Sequence, residues 1–280
     1  MADKKKSIIP TIILSVISII WIYPIVMILF NSLKVESAIT TSGVFQFPTS
    51  ETWNGIQNFI ASVTQMDFLK SFWYSLVISV MSVVLILLCC SMCAWYIVRV
   101  NGLLSKVLYY LCVFSMVVPF QMVMFTLAKT ADTLKLNNPY TICIVYLGFG
   151  AGLAVFMFTG FVKGSPLEIE EAAMIDGCSP LQVFFKILIP ILKPTIISTA
   201  ILELMWVWND YLLPFLVIGN NDKKTLTLSL YYAKSLSGQY GNPWELIFPA
   251  VLLCIIPVVI IFIILLKNII EGISAGAVKG

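Results

Sequence analysis

Very few side chains in this sequence can do chemistry. There is no histidine among the 280 residues, which removes His-dependent triads, the His-Glu-x-x-His zinc motif and most catalytic metal sites. No Gly-x-x-x-x-Gly-Lys-Ser/Thr stretch occurs, so no ATP-binding loop is expected in the chain itself. Cys90 and Cys93 form a Cys-x-x-Cys beside Cys89, but within an apolar run where thiols act as small hydrophobes. Neither a metal site nor a disulfide framework is expected from the seven cysteines. What remains is acidic. Glu203 and Asp210 are ionisable residues inside an apolar stretch, with Trp206 between them and Asn209 beside Asp210. Such residues mark a substrate path by default, and a seven-residue spacing places the two acids on one helical face. Pro214 removes the hydrogen bond to the Asp210 carbonyl, so a kink or unwinding is expected there. Asn209 and Asp210 read equally well as polar glue to neighbouring helices. Gln121, following Pro119, is a weaker pathway candidate.

A second polar group lies between residues 163 and 194. Ser165-Pro166-Leu167-Glu168 has the form of a capping box and predicts a helix from Pro166, ended by Gly177. Ser179-Pro180-Leu181-Gln182 repeats the device and predicts a second short helix over Pro180–Ile189, with Pro194 opening the next apolar run. The first helix carries Glu168, Glu170, Glu171 and Asp176, which anionic lipid would repel. A protein partner is the expected contact.

The elements that must hold these groups follow from composition. The chain is 60% hydrophobic and 11% charged, with a mean hydropathy of +0.98. Soluble domains run at about 45–50% and about 25%, and one core of this length cannot hide the excess. The apolar residues fall into six blocks near the length of a spanning helix: Ile8–Phe30, Phe72–Val98, Leu103–Leu127, Tyr140–Val162, Thr195–Ile218 and Leu246–Leu266. Their continuity predicts an all-α integral membrane protein and not a barrel, whose strands would alternate. Met1–Lys6 resembles the start of a signal peptide, but the apolar run behind it is too long, so a retained anchor is expected. With the N-terminus inside, the inner segments hold ten of the 17 basic residues. That bias places both termini and the 163–194 loop in the cytoplasm. The expected organisation is an N-terminus over 1–7, a transmembrane domain over 8–270 and a C-terminal tail over 271–280. The net charge of +3 is too small to suggest nucleic acid. Gly148, Gly150 and Gly152 invite close packing, expected against a paired subunit. The absence of Lys or Arg near the span centres favours a neutral solute over an anionic one. A polyamine remains open because of the two acids. A stand-alone secondary transporter would show an internal repeat, and none is apparent.

Glu171-Ala172-Ala173, Gly177 and Ile187-x-Ile189-Pro190 resemble the EAA loop of ABC-importer permeases, Glu-Ala-Ala-x3-Gly-x9-Ile-x-Leu-Pro, with Ile189 in place of Leu. Asn31-Ser32-Leu33-Lys34, Ala94-Trp95-Tyr96-Ile97-Val98-Arg99, Trp208-Asn209-Asp210-Tyr211-Leu212-Leu213-Pro214 and the ending Gly272–Gly280 are similar to MalG-like sugar permeases. The resemblance covers about Ile12 to Gly280. It implies a type I importer (MetI-like) transmembrane domain with six helices in a bacterial inner membrane. It also implies a carbohydrate substrate, with glycerol phosphate as an alternative. The implied partners are a second, MalF-like permease, two MalK-like ATPases carrying ATP and Mg, and an extracellular solute-binding protein. No cofactor is implied on this chain. By the same resemblance, Glu171, Ala172, Ala173, Asp176, Gly177 and Pro190 couple to the ATPase, and Gly276, Val278 and Lys279 reach between the ATPases. Two short rigid helices suit such a loop, because they transmit a partner's movement where a loose segment would absorb it.

Overall fold

A computed structural model describes the backbone of residues 2–219, 222–235 and 242–277, and the side chains of 8–219, 222–234 and 242–264. Among the described residues there are helices and no strand, beyond a single antiparallel bridge between Lys34 and Trp53. The helices are α1 (Ala2–Ser32), α2 (Glu36–Thr41), α3 (Gly55–Gln65), α4 (Phe68–Arg99), α5 (Leu103–Ser115), α6 (Phe120–Thr133) and α7 (Ile142–Lys163). They continue as α8 (Leu167–Ile175), α9 (Pro180–Val183), a π-helical turn Phe184–Leu188, α10 (Ile189–Asn209), α11 (Leu212–Val217), α12 (Leu226–Ser235) and α13 (Trp244–Ala277).

Five helical stretches have the length and apolarity of a span: Ile8–Ser32, Phe68–Arg99, Ile142–Lys163, Pro180–Asn209 and Trp244–Ile264. The expected third span, Leu103–Leu127, is not one helix. It is α5 and α6, bent by 107° at the break. Pro119 supplies the reason: it has no N–H for the carbonyl one turn back, and it drives the preceding residue out of the α region. At 1.5 Å per residue each piece is about 20 Å long, short of the roughly 30 Å hydrocarbon layer.

Two compact units emerge, Met1–Leu69 with Ser229–Pro257, and Lys70–Leu228 with Val258–Gly280. In the first, α1 is exposed from Ile8 to Ile25 and is apolar all round, as suits a helix in lipid. Just beyond it, Lys34 is 1% exposed. Its ammonium donates to Asn31 Oδ1 at 3.1 Å, Ser42 Oγ at 3.1 Å and the Gly43 carbonyl at 3.0 Å. Burial pushes the Lys34 ammonium below its usual value, and these three acceptors offset that cost. Asn58 of α3 completes the knot by donating to the Ser32 and Lys34 carbonyls at 3.1 and 2.8 Å. The Asn31–Lys34 motif therefore folds the loop after α1 back on the helix end.

In the second unit, α4, α7, the π turn and α10 close one core. Ile86, Cys90 and Ala94 meet Phe158, Val162 and Leu188 there, all essentially buried. The buried stripe of α4, from Ser71 through Ser75, Ser79 and Ser82 to Ile86 and Cys90, keeps helical spacing. Its serines are small enough for neighbouring backbone to approach, and Ser75 Oγ accepts from the Leu226 N–H at 2.8 Å.

Candidate functional site

The 163–194 loop is built around an ion pair. Helix α8 starts at Leu167 behind Pro166, with no side-chain cap, so the expected Ser165–Glu168 capping box does not form. Ser165 is instead drawn inward, and its carbonyl accepts from Arg99 Nη2 at 3.2 Å. The same guanidinium grips Glu170, with Nη2 at 2.6 Å and Nε at 3.0 Å from Oε1. Trp95 Nε1 donates to the other oxygen at 2.7 Å. The Glu170 side chain is 3% exposed and that of Arg99 18%. One buried carboxylate thus fastens α8 to the last turn of α4. The Trp95 ring also lies 5.6 Å from the Phe184 ring, which ties in the π turn.

Glu170 was not among the residues expected to matter. The available signal was the pair Trp95 and Arg99, one helical turn apart at the end of a spanning helix. Two donors so spaced call for a buried acceptor.

Helix α8 ends as Gly177 predicts. Gly177 has φ +88°, its N–H bonds to the Met174 carbonyl, and the Cys178 N–H bonds to that of Ala173, both at 3.0 Å. This is a Schellman motif, and its left-handed residue favours glycine. Glu171, Ala172, Asp176 and Gly177 are exposed, and so are Met174 at 47% and Ile175 at 86%. Ala173 is not: it is 8% exposed and packs within the chain. Of the two alanines, Ala172 is therefore open to a partner and Ala173 is turned into the chain.

The second capping box forms, with Ser179 Oγ accepting from the Gln182 N–H and Gln182 Oε1 accepting from the Ser179 N–H. The helix it starts is not a separate short one. It runs on as one stretch from Pro180 to Asn209, through Pro190 and Pro194. Pro190 cannot donate to the carbonyl four residues back. The turn before it widens, the Ile189 N–H bonding to the Phe184 carbonyl five residues back. Pro190 itself is exposed on this continuous helix.

At the far end, helix α10 stops at Asn209, and Asp210 has extended ψ of 127°. The carbonyl that Pro214 leaves without its helical donor accepts from Thr227 Oγ1 at 2.8 Å. Asp210 Oδ1 accepts the N–H groups of Leu212 and Leu213 at 2.9 and 3.3 Å, starting α11, and Tyr146 Oη donates to Oδ2 at 3.1 Å. Glu203 is 1% exposed and lies against Gly150, where an added Cβ would stand 2.8 Å from Oε2. Its Oε1 has no hydrogen-bond partner among the described residues.

Both acids therefore face α7, at positions one turn apart; Glu203 is buried there and Asp210 is half-buried. The side they share is the one turned to α7, Glu203 from within α10 and Asp210 from the residue that ends it. Trp206 (39% exposed) sits edge-on to the buried Tyr146 at 5.4 Å, while Asn209 and Gln121 are exposed. Asn209 Nδ2 donates back to the Met205 carbonyl at 2.7 Å. Tyr146, unmarked in the sequence, joins Trp206 to Asp210. Nor is the glycine run reserved for another subunit: Gly150 gives room to Ile86 and Glu203, and Gly152 to Cys112, Ser115 and Met116. Gly148 alone has open space.

Asp210→Ala is expected to cost about 2 kcal/mol, since it removes a helix cap and strands the buried Tyr146 hydroxyl. Thermal unfolding in detergent measures this. Asp210→Asn, which keeps an acceptor for the α11 N–H groups, should lose less.

Gly276 lies in the last turn of the α13 backbone, and Val278 and Lys279 lie outside the described residues. Among the described residues no group of three or more His, Cys, Asp or Glu could hold a metal.

An apolar helical chain with several helices of spanning length defines an integral membrane protein. Residues 86–274 match the binding-protein-dependent transport system inner membrane component family, and the chain belongs to it. It is 36% identical over 264 residues to the probable starch degradation products transport system permease protein AmyC of Thermoanaerobacterium thermosulfurigenes, covering 94% of each chain. It is 34% identical to the multiple sugar-binding transport system permease protein MsmG of Streptococcus mutans, over 96% of this chain and 95% of the other. A bacterial ABC transporter structure, involved in import of the acidic polysaccharide alginate, shares the fold. Its TM-score is 0.77 at 21% identity, over 95% of this chain and 97% of that one.

Proposed function

We propose that this chain forms part of the membrane path of an ATP-driven importer of oligosaccharides. It would sit in a bacterial inner membrane with both termini and the α8 loop in the cytoplasm. ATP and Mg belong to two separate ATPase subunits, and a second related permease and an extracellular solute-binding protein complete the assembly. The observation that carries this reading is α8, pinned by Glu170 while Glu171, Ala172, Ile175 and Asp176 are turned outward. An exposed Ile175 among acids suits a protein cleft better than water or anionic lipid. The sugar assignment is supported by the sugar permeases at 34–36% identity. Trp206, Asn209 and Gln121 are the exposed members of the pathway set and our candidates for sugar contact. Glu203 and Asp210 stand behind them against α7 and remain members of that set.

The assembled importer is expected to hydrolyse ATP faster when the solute-binding protein is loaded. A thermal-shift screen of that protein against neutral oligosaccharides, glycerol phosphates and polyamines identifies the solute. Binding of charged ligands alone would overturn the sugar assignment and leave the importer standing. ATP-independent uptake by this chain alone in proteoliposomes would overturn the importer.

A further inference from the structure

We propose that a recess between the α4–α5 turn and the end of α7 holds the headgroup of an anionic phospholipid, one acyl chain of which lies along α5. The recess encloses about 410 Å³, and its ten lining residues include no Asp or Glu. Lys106 and Lys163 line it and are both exposed. The Lys163 ammonium sits 5.3 Å from the centre of the Tyr109 ring, which also lines the recess and holds that charge at its wall. Arg99, close by in sequence, is committed to Glu170, so the two lysines set the sign of the recess.

Two further features make it a phosphate site. Ser105 lines the recess, is 2% exposed, and its Oγ has no hydrogen-bond partner among the described residues. A buried hydroxyl without a partner is costly, and a headgroup oxygen would relieve it. Ser105 also lies in the first turn of the 13-residue α5, whose opening N–H groups have no partner within the helix and favour an anion.

The apolar half of the ligand follows from the neighbouring surface. A groove of about 500 Å³ runs along α5, lined by Val107, Tyr110, Leu111, Val113, Phe114 and Val117, and Tyr110 lines the recess as well. From Val107 to Val117 the helical rise is about 15 Å, half of a hydrocarbon layer about 30 Å thick. One acyl chain of one leaflet has that reach. Free phosphate would leave the groove unused. The recess lies at the helix ends that bear the α8 loop, since Lys163 directly precedes it and Arg99 clamps it. The leaflet therefore rests on the orientation proposed above, and the ligand chemistry does not.

The test uses the assembled importer in nanodiscs of phosphatidylcholine with a minority of phosphatidylglycerol, read by native mass spectrometry. The wild type should retain phosphatidylglycerol. Lys106→Gln with Lys163→Gln, both at exposed positions, should weaken retention roughly thirtyfold, because each lysine near a membrane surface is worth about fivefold. Unchanged retention in the double variant overturns the proposal. So does displacement of the lipid by inorganic phosphate alone, which would mean that the groove contributes nothing. A photo-cross-linking amino acid in place of Asn101 should label lipid, and labelling an ATPase subunit instead also overturns it. Oligosaccharide uptake by the same wild-type sample reports on the importer reading separately. No retention of phosphatidylglycerol by the wild type, with its uptake intact, sinks the lipid site alone.

Discussion

Replacing Glu170 with alanine is expected to release α8 from the end of α4 and to cost about 3 kcal/mol, the low end of the range for breaking a buried ion pair. The low end applies because Arg99 keeps 18% side-chain exposure and recovers some hydration once its partner is gone. The Trp95 indole N–H does not, because its only bond in this cluster is to Glu170. A loss of that size raises the open population of the loop by about a hundredfold. Hydrogen exchange over Leu167–Ile175 should therefore speed up far more than exchange in α7. Glu170→Gln keeps an acceptor for Trp95 and gives up the charge, so it should fall between wild type and alanine. Equal exchange in the wild type and Glu170→Ala would mean that the clamp does not hold the loop. Were Glu170 itself part of the partner surface, the glutamine variant would block coupling without loosening α8.

Glu171→Lys should behave in the opposite way. The residue is exposed on α8, so unfolding should shift by less than about 0.5 kcal/mol, as for surface changes generally. Uptake and ATPase stimulation should nonetheless be lost. Placing the wrong sign in a complementary interface costs several kcal/mol, on the order of a thousandfold in affinity. Retention of the ATPase subunits on a purified permease measures the loss directly. Gly177→Asp should also uncouple, partly by another route, since a left-handed residue at φ +88° strains any side-chain-bearing replacement by about 1 kcal/mol. Normal uptake in Glu171→Lys would remove α8 from the coupling surface.

Much of this could be read from the residues. Four of the six spanning stretches, the Gly177 terminator, the Ser179–Gln182 cap and the break at Asp210 follow from local rules, in which a residue acts on neighbours within one helical turn; the third stretch breaks in two and the fifth starts earlier, at Pro180. What was missed depends on contacts between distant segments. Glu170 and Glu171 are adjacent acids with identical local signals. Only the approach of α4 makes one an anchor and leaves the other outward. Gly150 and Gly152 likewise pointed to close packing without naming the neighbour, which proves to be within the same chain. Pro119 and Pro190 show the limit most clearly. The first ends a helix with a 107° bend, and the second is absorbed by one wide turn in a helix that continues. The chemistry of the two prolines is the same, and the outcome differs: a break at the first and a widened turn before the second.

The unbroken stretch from Pro180 to Asn209 has a mechanical consequence. Thirty residues at 1.5 Å each make a rod about 45 Å long. A tilt of about 5° imposed at its Pro180 end sweeps the Asn209 end through about 4 Å, more than the width of a water molecule. Small angular errors at one end are magnified equally. The wide turn at Phe184–Leu188 is the compliant section of that rod, and its nearness to the driven end matters. About 32 Å of the arm lies beyond Leu188, so a bend at that turn subtracts from the displacement at Asn209 over most of the arm, whereas the same bend beside Asn209 would subtract little.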